Sequence, residues 1–310
     1  MVLLYTSDLF LEHKTGRGHP ERPERISSAL DYLRRTKVIE RCELAQWSAV
    51  EPAMLETVHH QSEVAQVRTM AEQGGGRIDA DTVLSPRSYE VAASAAGAAV
   101  AAVDSVLGKP QHRAFCLTRP PGHHATPNRA MGFCLFNNIA LATQRAMAHH
   151  HLDRILIVDW DVHHGNGTQD IFYSDPRVMF FSIHRYPFYP GTGAANETGT
   201  GQGLGTTRNE PVAFGTPRTE YRARFDRALG ECADKIRPQL VLISAGFDAH
   251  AEDPIGSLGL MVEDFVTMTR SVIDVANTHC AGRIVSVLEG GYNLTVLAES
   301  VAAHLQQLLE

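Results

Sequence analysis

The chain has little of the material that builds staples. Its five cysteines, Cys42, Cys116, Cys134, Cys232 and Cys280, are scattered, odd in number and form no CxxC pair. That argues against a disulfide framework or a zinc ribbon and for reduced, buried thiols. No run reaches the roughly 18 uninterrupted apolar residues of a membrane span. The opening "MVLLYTSDLF" shows neither a basic leader nor a small-residue cleavage site, so the expectation is a soluble, cytoplasmic protein with no membrane partner. Positive charge is also short: 28 Lys and Arg face 35 Asp and Glu, a formal net charge of -7. Bulk electrostatics therefore give no pull toward nucleic acid. Internal repeats are absent.

What remains is an ordinary globular composition, 44% hydrophobic and 20% charged over 310 residues. α/β chains of this length often form one core, so residues 1–310 are expected as a single domain. Six apolar runs recur, at "VLLYTSD", "RAFCLTR", "RILIVDWDV", "RVMFFSIH", "LVLISAGFD" and "RIVSVLEGGY". Most are apolar on both faces, as strands of a covered parallel sheet must be. Helical patterns alternate with them, including "SPRSYEVAASAAGAAVAAVDSVLG", "NNIALATQRAMAHH" and "TEYRARFDRALGECADKIRP". The pattern predicts an open, mainly parallel sheet with helices on both faces, a three-layer α/β/α arrangement. Residues 186–217, dense in Gly, Thr and Pro, read as a long loop.

Ligands of such sheets bind beyond the carboxyl ends of the strands. Five of the apolar runs end there in polar or glycine-rich chemistry: "RPPGHHA", "DWDVHHGNG", "IHRY", "FDAHAEDP" and "GGYN". Alone, a DxH pair such as Asp161 and His163 is more often a salt bridge or a satisfied turn. At a strand end, with Asp248 ending another strand, it can hold one metal ion and leave a position open for water. Mixed N and O ligation suits Zn(II), with Fe(II), Co(II) and Mn(II) as alternatives. One of His123 and His124 can then move a proton between water and a leaving amine. Asp159 and Asn166 can orient those rings, and the Tyr292 hydroxyl can meet a developing oxyanion. His59/His60 and His149 to His151 read as coincidental neighbours, and His164 receives no catalytic role.

Together "HPERPERI", "RPPGHHA", "MGFCLFNN", "DWDVHHGNGTQ", "SIHRYPFYPGTG", "SAGFDAHAEDP" and "LEGGYN" resemble the histone deacetylase and acetylpolyamine amidohydrolase family, particularly its class II branch. The resemblance runs from Gly18 to Asn293. It implies an arginase/deacetylase-like fold and one catalytic zinc held by Asp161, His163 and Asp248. It makes His124 the general base and acid and His123, with Asp159, its electrostatic partner. Asn166 stands where class I enzymes carry an aspartate, which implies a less basic His124. Phe133 and Tyr189 match the walls of an acyl-lysine tunnel, many relatives having Phe at the second position. Gly132 offers its carbonyl to the substrate amide, Pro20 and Arg25 fall in the substrate-binding set, and Arg25 lines an internal acetate exit. Either Asp79 or Asp81 matches a rim aspartate that grips substrate backbone. Two structural potassium ions are also implied. One uses Asp159 and Ser182 with carbonyls of Asp161, His163 and Ile183; the other uses carbonyls around Phe172, Asp175 and Val178.

Polyamine-selective relatives place a glutamate just after the "DP" of "FDAHAEDP", where this chain has Ile255. An apolar side chain there recruits no second cation, which favours acyl-lysine in a peptide or protein, or a broad range of small acylated amines, over acetylpolyamines. A non-catalytic binding protein on the same fold should have lost a ligand or Tyr292, and an arginase-like ureohydrolase needs more carboxylates. The sequence leaves a homo-oligomer open.

Overall fold

The structure, a computed structural model, describes residues 2–108 and 113–310. Its strands are β1 (Val2–Tyr5), β2 (Cys42–Leu44), β3 (Gly76–Arg77), β4 (Val83–Leu84), β5 (Arg113–Cys116), β6 (Ile155–Asp159), β7 (Val178–Arg185), β8 (Thr207–Val212), β9 (Leu240–Ala245) and β10 (Ile284–Leu288). Eight form one sheet in the order β2-β1-β5-β10-β9-β6-β7-β8, while β3 and β4 pair as a separate small ribbon. Every pairing in the large sheet is parallel. β5, β6, β9 and β10 are buried throughout but for the first residue of β5, which is why they read as unbroken apolar runs.

The helices are α1 (Glu24–Arg35), α2 (Pro52–Leu55), α3 (Gln61–Glu72), α4 (Ser88–Gly108), α5 (Asn138–His150), α6 (Asn166–Phe172), α7 (Arg218–Ile236), α8 (Val262–Cys280) and α9 (Leu294–Leu309). They cover both faces. α1, α7, α8 and α9 pack one core against the sheet, and α3, α4 and α5 pack the other. α1 shows how: Ile26, Ala29, Leu30 and Leu33 recur at helical spacing and are all buried. By length and composition α4 could cross a membrane, yet two thirds of its most apolar stretch is buried inside the fold. Its alanines permit that closeness. Asn137 caps α5 by accepting from the Ala140 amide at 3.0 Å, which fixes where the chain leaves the loop carrying the paired histidines.

The sequence expectation lacks the edge strands β2 and β8, the β3–β4 ribbon and the helices α2, α3 and α6; β8 falls inside residues 186–217, expected as loop. The short helix α6 begins at Asn166, directly behind the DxH motif.

Candidate active site

The carboxyl ends of β5, β6, β9 and β10 are adjacent in the sheet, so their following residues converge. Asp161, His163 and Asp248 come together with one ligand atom each inside 4.8 Å, all buried. His163 Nδ1 lies 3.1 Å from Asp161 Oδ1 and 3.2 Å from Asp248 Oδ2. Ligands about 2 Å from a tetrahedral ion stand about 3.3 Å from one another, so the spacing fits a zinc-sized ion. The other carboxylate atoms are tied down: Asp161 Oδ2 accepts from the Gly290 amide at 2.7 Å and Asp248 Oδ1 from the Val162 amide at 2.9 Å. Asp248 Oδ2 is buried without a hydrogen-bond partner. Burial, and then the charge of Asp161, push the Asp248 carboxyl up to about 7. A divalent cation would relieve both costs. Space is equally specific, since a Cβ at Gly246 or Gly290 would strike these carboxylate oxygens.

His123 and His124 follow β5, with ring centroids 4.0 Å apart. His123 Nδ1 meets Asp159 Oδ2 at 3.0 Å, and His124 Nδ1 meets Asn166 Oδ1 at 2.8 Å. The Asn166 amide nitrogen faces Met131 Sδ, so its oxygen is the atom left for His124. Nδ1 of His124 therefore carries the proton and Nε2 keeps its lone pair. Burial opposes charge on His123, but Asp159, followed by Asp161 and Glu289, lifts it to about 10. Burial, then His123 and His163, hold His124 well below the ordinary histidine range. His123 is thus favoured as the imidazolium and His124 as a neutral, weakly basic imidazole with a free Nε2 lone pair, the division of labour that proton transfer needs.

Above these groups opens a cavity of about 210 Å³ lined by Asp81, His124, Gly132, Phe133, His163, Phe188, Tyr189, Ile255 and Tyr292. Larger depressions, such as one of about 500 Å³ around Arg113, Asn277 and Glu310, carry no such cluster. Phe188 lies flat on His163, at 5.2 Å and 14°, and Tyr189 stands edge-on to His124 at 5.2 Å. Phe188 was missed in the sequence, although it adjoins Tyr189. Gly132 and Phe133 both take positive φ, 57° and 67°, and a Cβ at Gly132 would run into the His124 ring. Of the two rim aspartates, Asp81 lines the mouth. Asp79 instead accepts from the amides of Asp81 and Thr82, at 3.1 and 2.8 Å. Pro20 does not line this cavity; its neighbour His19 packs edge-on against Phe133.

Arg25 lies behind the floor, its guanidinium 5.0 Å over the Tyr292 ring and bonded to the carbonyls of Gly291 and Glu289. Asp159 and Ser182 pair in register on β6 and β7, and Ser182 and Ile183 are fully buried. Phe172, Asp175 and Val178 fall on the turn between α6 and β7, where the Phe172 carbonyl accepts from Asp175 and the Asp175 carbonyl from Val178. His164 points away from the cluster: Nδ1 meets Thr192 Oγ1 at 2.8 Å and Nε2 meets Gln169 Oε1 at 3.0 Å. It stitches the loop that carries Tyr189 to α6.

The model of the histone deacetylase domain matches residues 19–308, a span that holds every one of these groups. The chain belongs to the histone deacetylase domain family. Within that family a probable deacetylase of Archaeoglobus fulgidus is 40% identical over 286 residues, 92% of this chain and 79% of that protein. The human polyamine deacetylase HDAC10 is 41% identical over 302 residues, 93% of this chain but 44% of the longer protein. The crystal structure of the HDA15 HD domain matches this family member with a TM-score of 0.94 at 35% identity, over 99% of this chain and 88% of that one.

Proposed function

We propose that the protein is a zinc-dependent deacylase that hydrolyses the amide of an acylated lysine side chain. The observation that carries this is the meeting of the Asp161, His163, Asp248 set with a cationic–neutral histidine pair and Tyr292 around one narrow, aromatic-walled cavity. When bound, zinc supplies Lewis acidity toward the acyl carbonyl and makes water nucleophilic near neutral pH. Nε2 of His124 takes the proton from that water and returns it to the amine nitrogen as the C–N bond breaks. His123, charged against Asp159, steadies the negative charge that builds in between. The Tyr292 hydroxyl donates to the carbonyl oxygen as it becomes an oxyanion, and burial keeps that phenol protonated by raising its pKa well above the usual value. Phe133 and Tyr189 enclose the alkyl chain, the Gly132 carbonyl accepts the substrate amide N–H, and Arg25 guides acetate behind the floor. Fe(II) and Co(II) suit the same donors. Asp159 and Ser182 with the carbonyls of Asp161, His163 and Ile183, and the Phe172, Asp175 and Val178 turn, would hold potassium ions, which would brace the metal loop.

Replacing Tyr292 with Phe should lower kcat about 10²- to 10³-fold, the usual loss for one oxyanion donor, with metal content unchanged. A fall under fivefold would remove Tyr292 from the step.

Ile255 at the mouth favours lysine over polyamine substrates. The acidic Asp81 beside it, and the likeness to a human polyamine deacetylase, favour a second reading as an acetylpolyamine amidohydrolase. Turnover of an acetyl-lysine peptide, acetylputrescine and acetylspermidine decides between them. The peptide should show the highest kcat/KM, and a preference for acetylspermidine would overturn the lysine assignment. Chelation should abolish turnover and stoichiometric Zn(II) restore it. No turnover of any of the three with Zn(II) or Fe(II) would sink the hydrolase reading.

A further inference from the structure

Glu289 directly follows β10, fully buried and immediately before the glycine pair that precedes Tyr292; its only part in the chemistry above is a share in the field that raises His123. Its Oε2 accepts from the amides of Gly122 and His123, at 2.7 and 3.2 Å, and its Oε1 accepts from Ser244 Oγ at 3.2 Å. Ser244 lies on β9, and Gly122 and His123 on the loop after β5, so this single carboxylate ties β9 and the end of β10 to the histidine loop. We propose that Glu289 is a positioning residue that fixes the His123–His124 backbone over the metal ligands. The inference rests on the amide-hydrolysis reading of the site.

Two buried N–H groups at successive residues need an acceptor, because leaving them unpaired is costly. No other acceptor is recorded for them among the described residues. The loop has little freedom to find one elsewhere, since a Cβ at Gly122 would press on the Asn138 amide at 2.5 Å and the Phe136 carbonyl at 2.8 Å. His123 is consequently pinned at both ends, its amide by Glu289 from β10 and its ring by Asp159 from β6. The next residue is His124, whose ring must stand over the reacting carbonyl to within a few tenths of an ångström. Holding the preceding amides is the means by which the sheet sets that position. What matters in this role is the acceptor oxygen at the correct reach rather than the charge.

Two substitutions separate reach from charge. Glu289→Gln keeps an acceptor oxygen at full length, while Glu289→Asp keeps the carboxylate but withdraws it by about 1.5 Å, one C–C bond. With the zinc-loaded protein and an acetyl-lysine peptide, Glu289→Asp should lower kcat about 10- to 100-fold with KM and zinc content unchanged, the usual loss for a partner that orients an active-site ligand. Glu289→Gln, which keeps the acceptor but removes a charge that ranks behind Asp159 and Asp161 in raising His123, should lower kcat clearly less than Glu289→Asp does. Amide hydrogen exchange should find Gly122 and His123 protected in the wild type and in Glu289→Gln, and exposed in Glu289→Asp. Near-wild-type activity in Glu289→Asp overturns the proposal, as does a loss in Glu289→Gln equal to or larger than that in Glu289→Asp while both amides stay protected. If Glu289→Asp does not fold, the Glu289→Gln measurements decide alone. If the wild type itself is inert toward every acylated amine, the amide-hydrolysis reading fails, and the exchange data still tell whether Glu289 anchors the loop.

Discussion

Replacing His124 with Ala should lower kcat on an acetyl-lysine peptide by about 10²- to 10⁴-fold, the range lost with a general base and acid. Zinc should remain bound at one ion per chain, because none of the three ligand side chains depends on His124 for a hydrogen bond. The expectation follows from the tautomer: Asn166 takes the Nδ1 proton, leaving Nε2 as the one basic nitrogen of the pair beside the cationic His123. An asparagine orients the ring without adding a charge to stabilise an imidazolium, so the conjugate acid forms reluctantly and returns its proton readily. Single-turnover rates and metal analysis on the same sample provide the check. A variant that keeps a tenth or more of the wild-type kcat would show that the proton moves by another route.

Replacing Glu21 with Gln should destabilise the fold by about 3–5 kcal/mol, the cost of stripping one partner from a buried ion pair. Glu21 is fully buried and accepts from Arg119 Nε at 2.7 Å, Arg119 Nη2 at 2.6 Å and Arg25 Nη1 at 3.2 Å. Burial alone would raise its pKa, but Arg119, with His13 and Arg25, lowers it from the ordinary 4.5 to about 2. A carboxyl depressed in this way contributes its full stability above pH 4.5 and loses it progressively as the pH falls toward 2. Denaturant unfolding should therefore show a wild-type advantage that is full at pH 7 and reduced at pH 3. The acid limb of the mutant's stability curve should be the flatter of the two. Equal unfolding midpoints at pH 7 would mean that the guanidinium groups of Arg25 and Arg119 find other acceptors at no cost.

The parts of this molecule legible in its sequence are those where burial writes a pattern. β6 and β9 are apolar on both faces and announce themselves, and the costly groups behind them mark the metal set. β8 stayed hidden because its buried positions are largely polar, Thr207, Asn209 and Glu210, so no apolar run marks it, and Pro211 is tolerated only at an edge. β2 is three residues long and mostly exposed, too short for any period. α6 is seven residues directly behind a motif that draws all attention to its side chains. That Asp81 rather than Asp79 lines the cavity depends on which backbone amides the loop offers, and spacing does not encode that. Glu289 and Glu21 gave the same signal as Asp159, a charged residue beside apolar or motif residues, yet stood inside quoted motifs without being read. Phe188 was overshadowed by Tyr189, its neighbour on the same wall.

The place of β10 in the sheet has a consequence for synthesis. This strand, near the end of the chain, lies between β5 and β9 at the centre of the sheet. About 170 residues separate β5 from it. At a ribosomal pace of about 5–20 residues per second, β5 waits on the order of ten to thirty seconds for the neighbour that completes its pairing. Until then the nascent protein exposes an open, apolar strand edge in the middle of its future sheet. Chaperone binding to the growing chain should concentrate on that window, and stop codons placed shortly before Ile284 should yield aggregates rather than shortened, metal-binding domains.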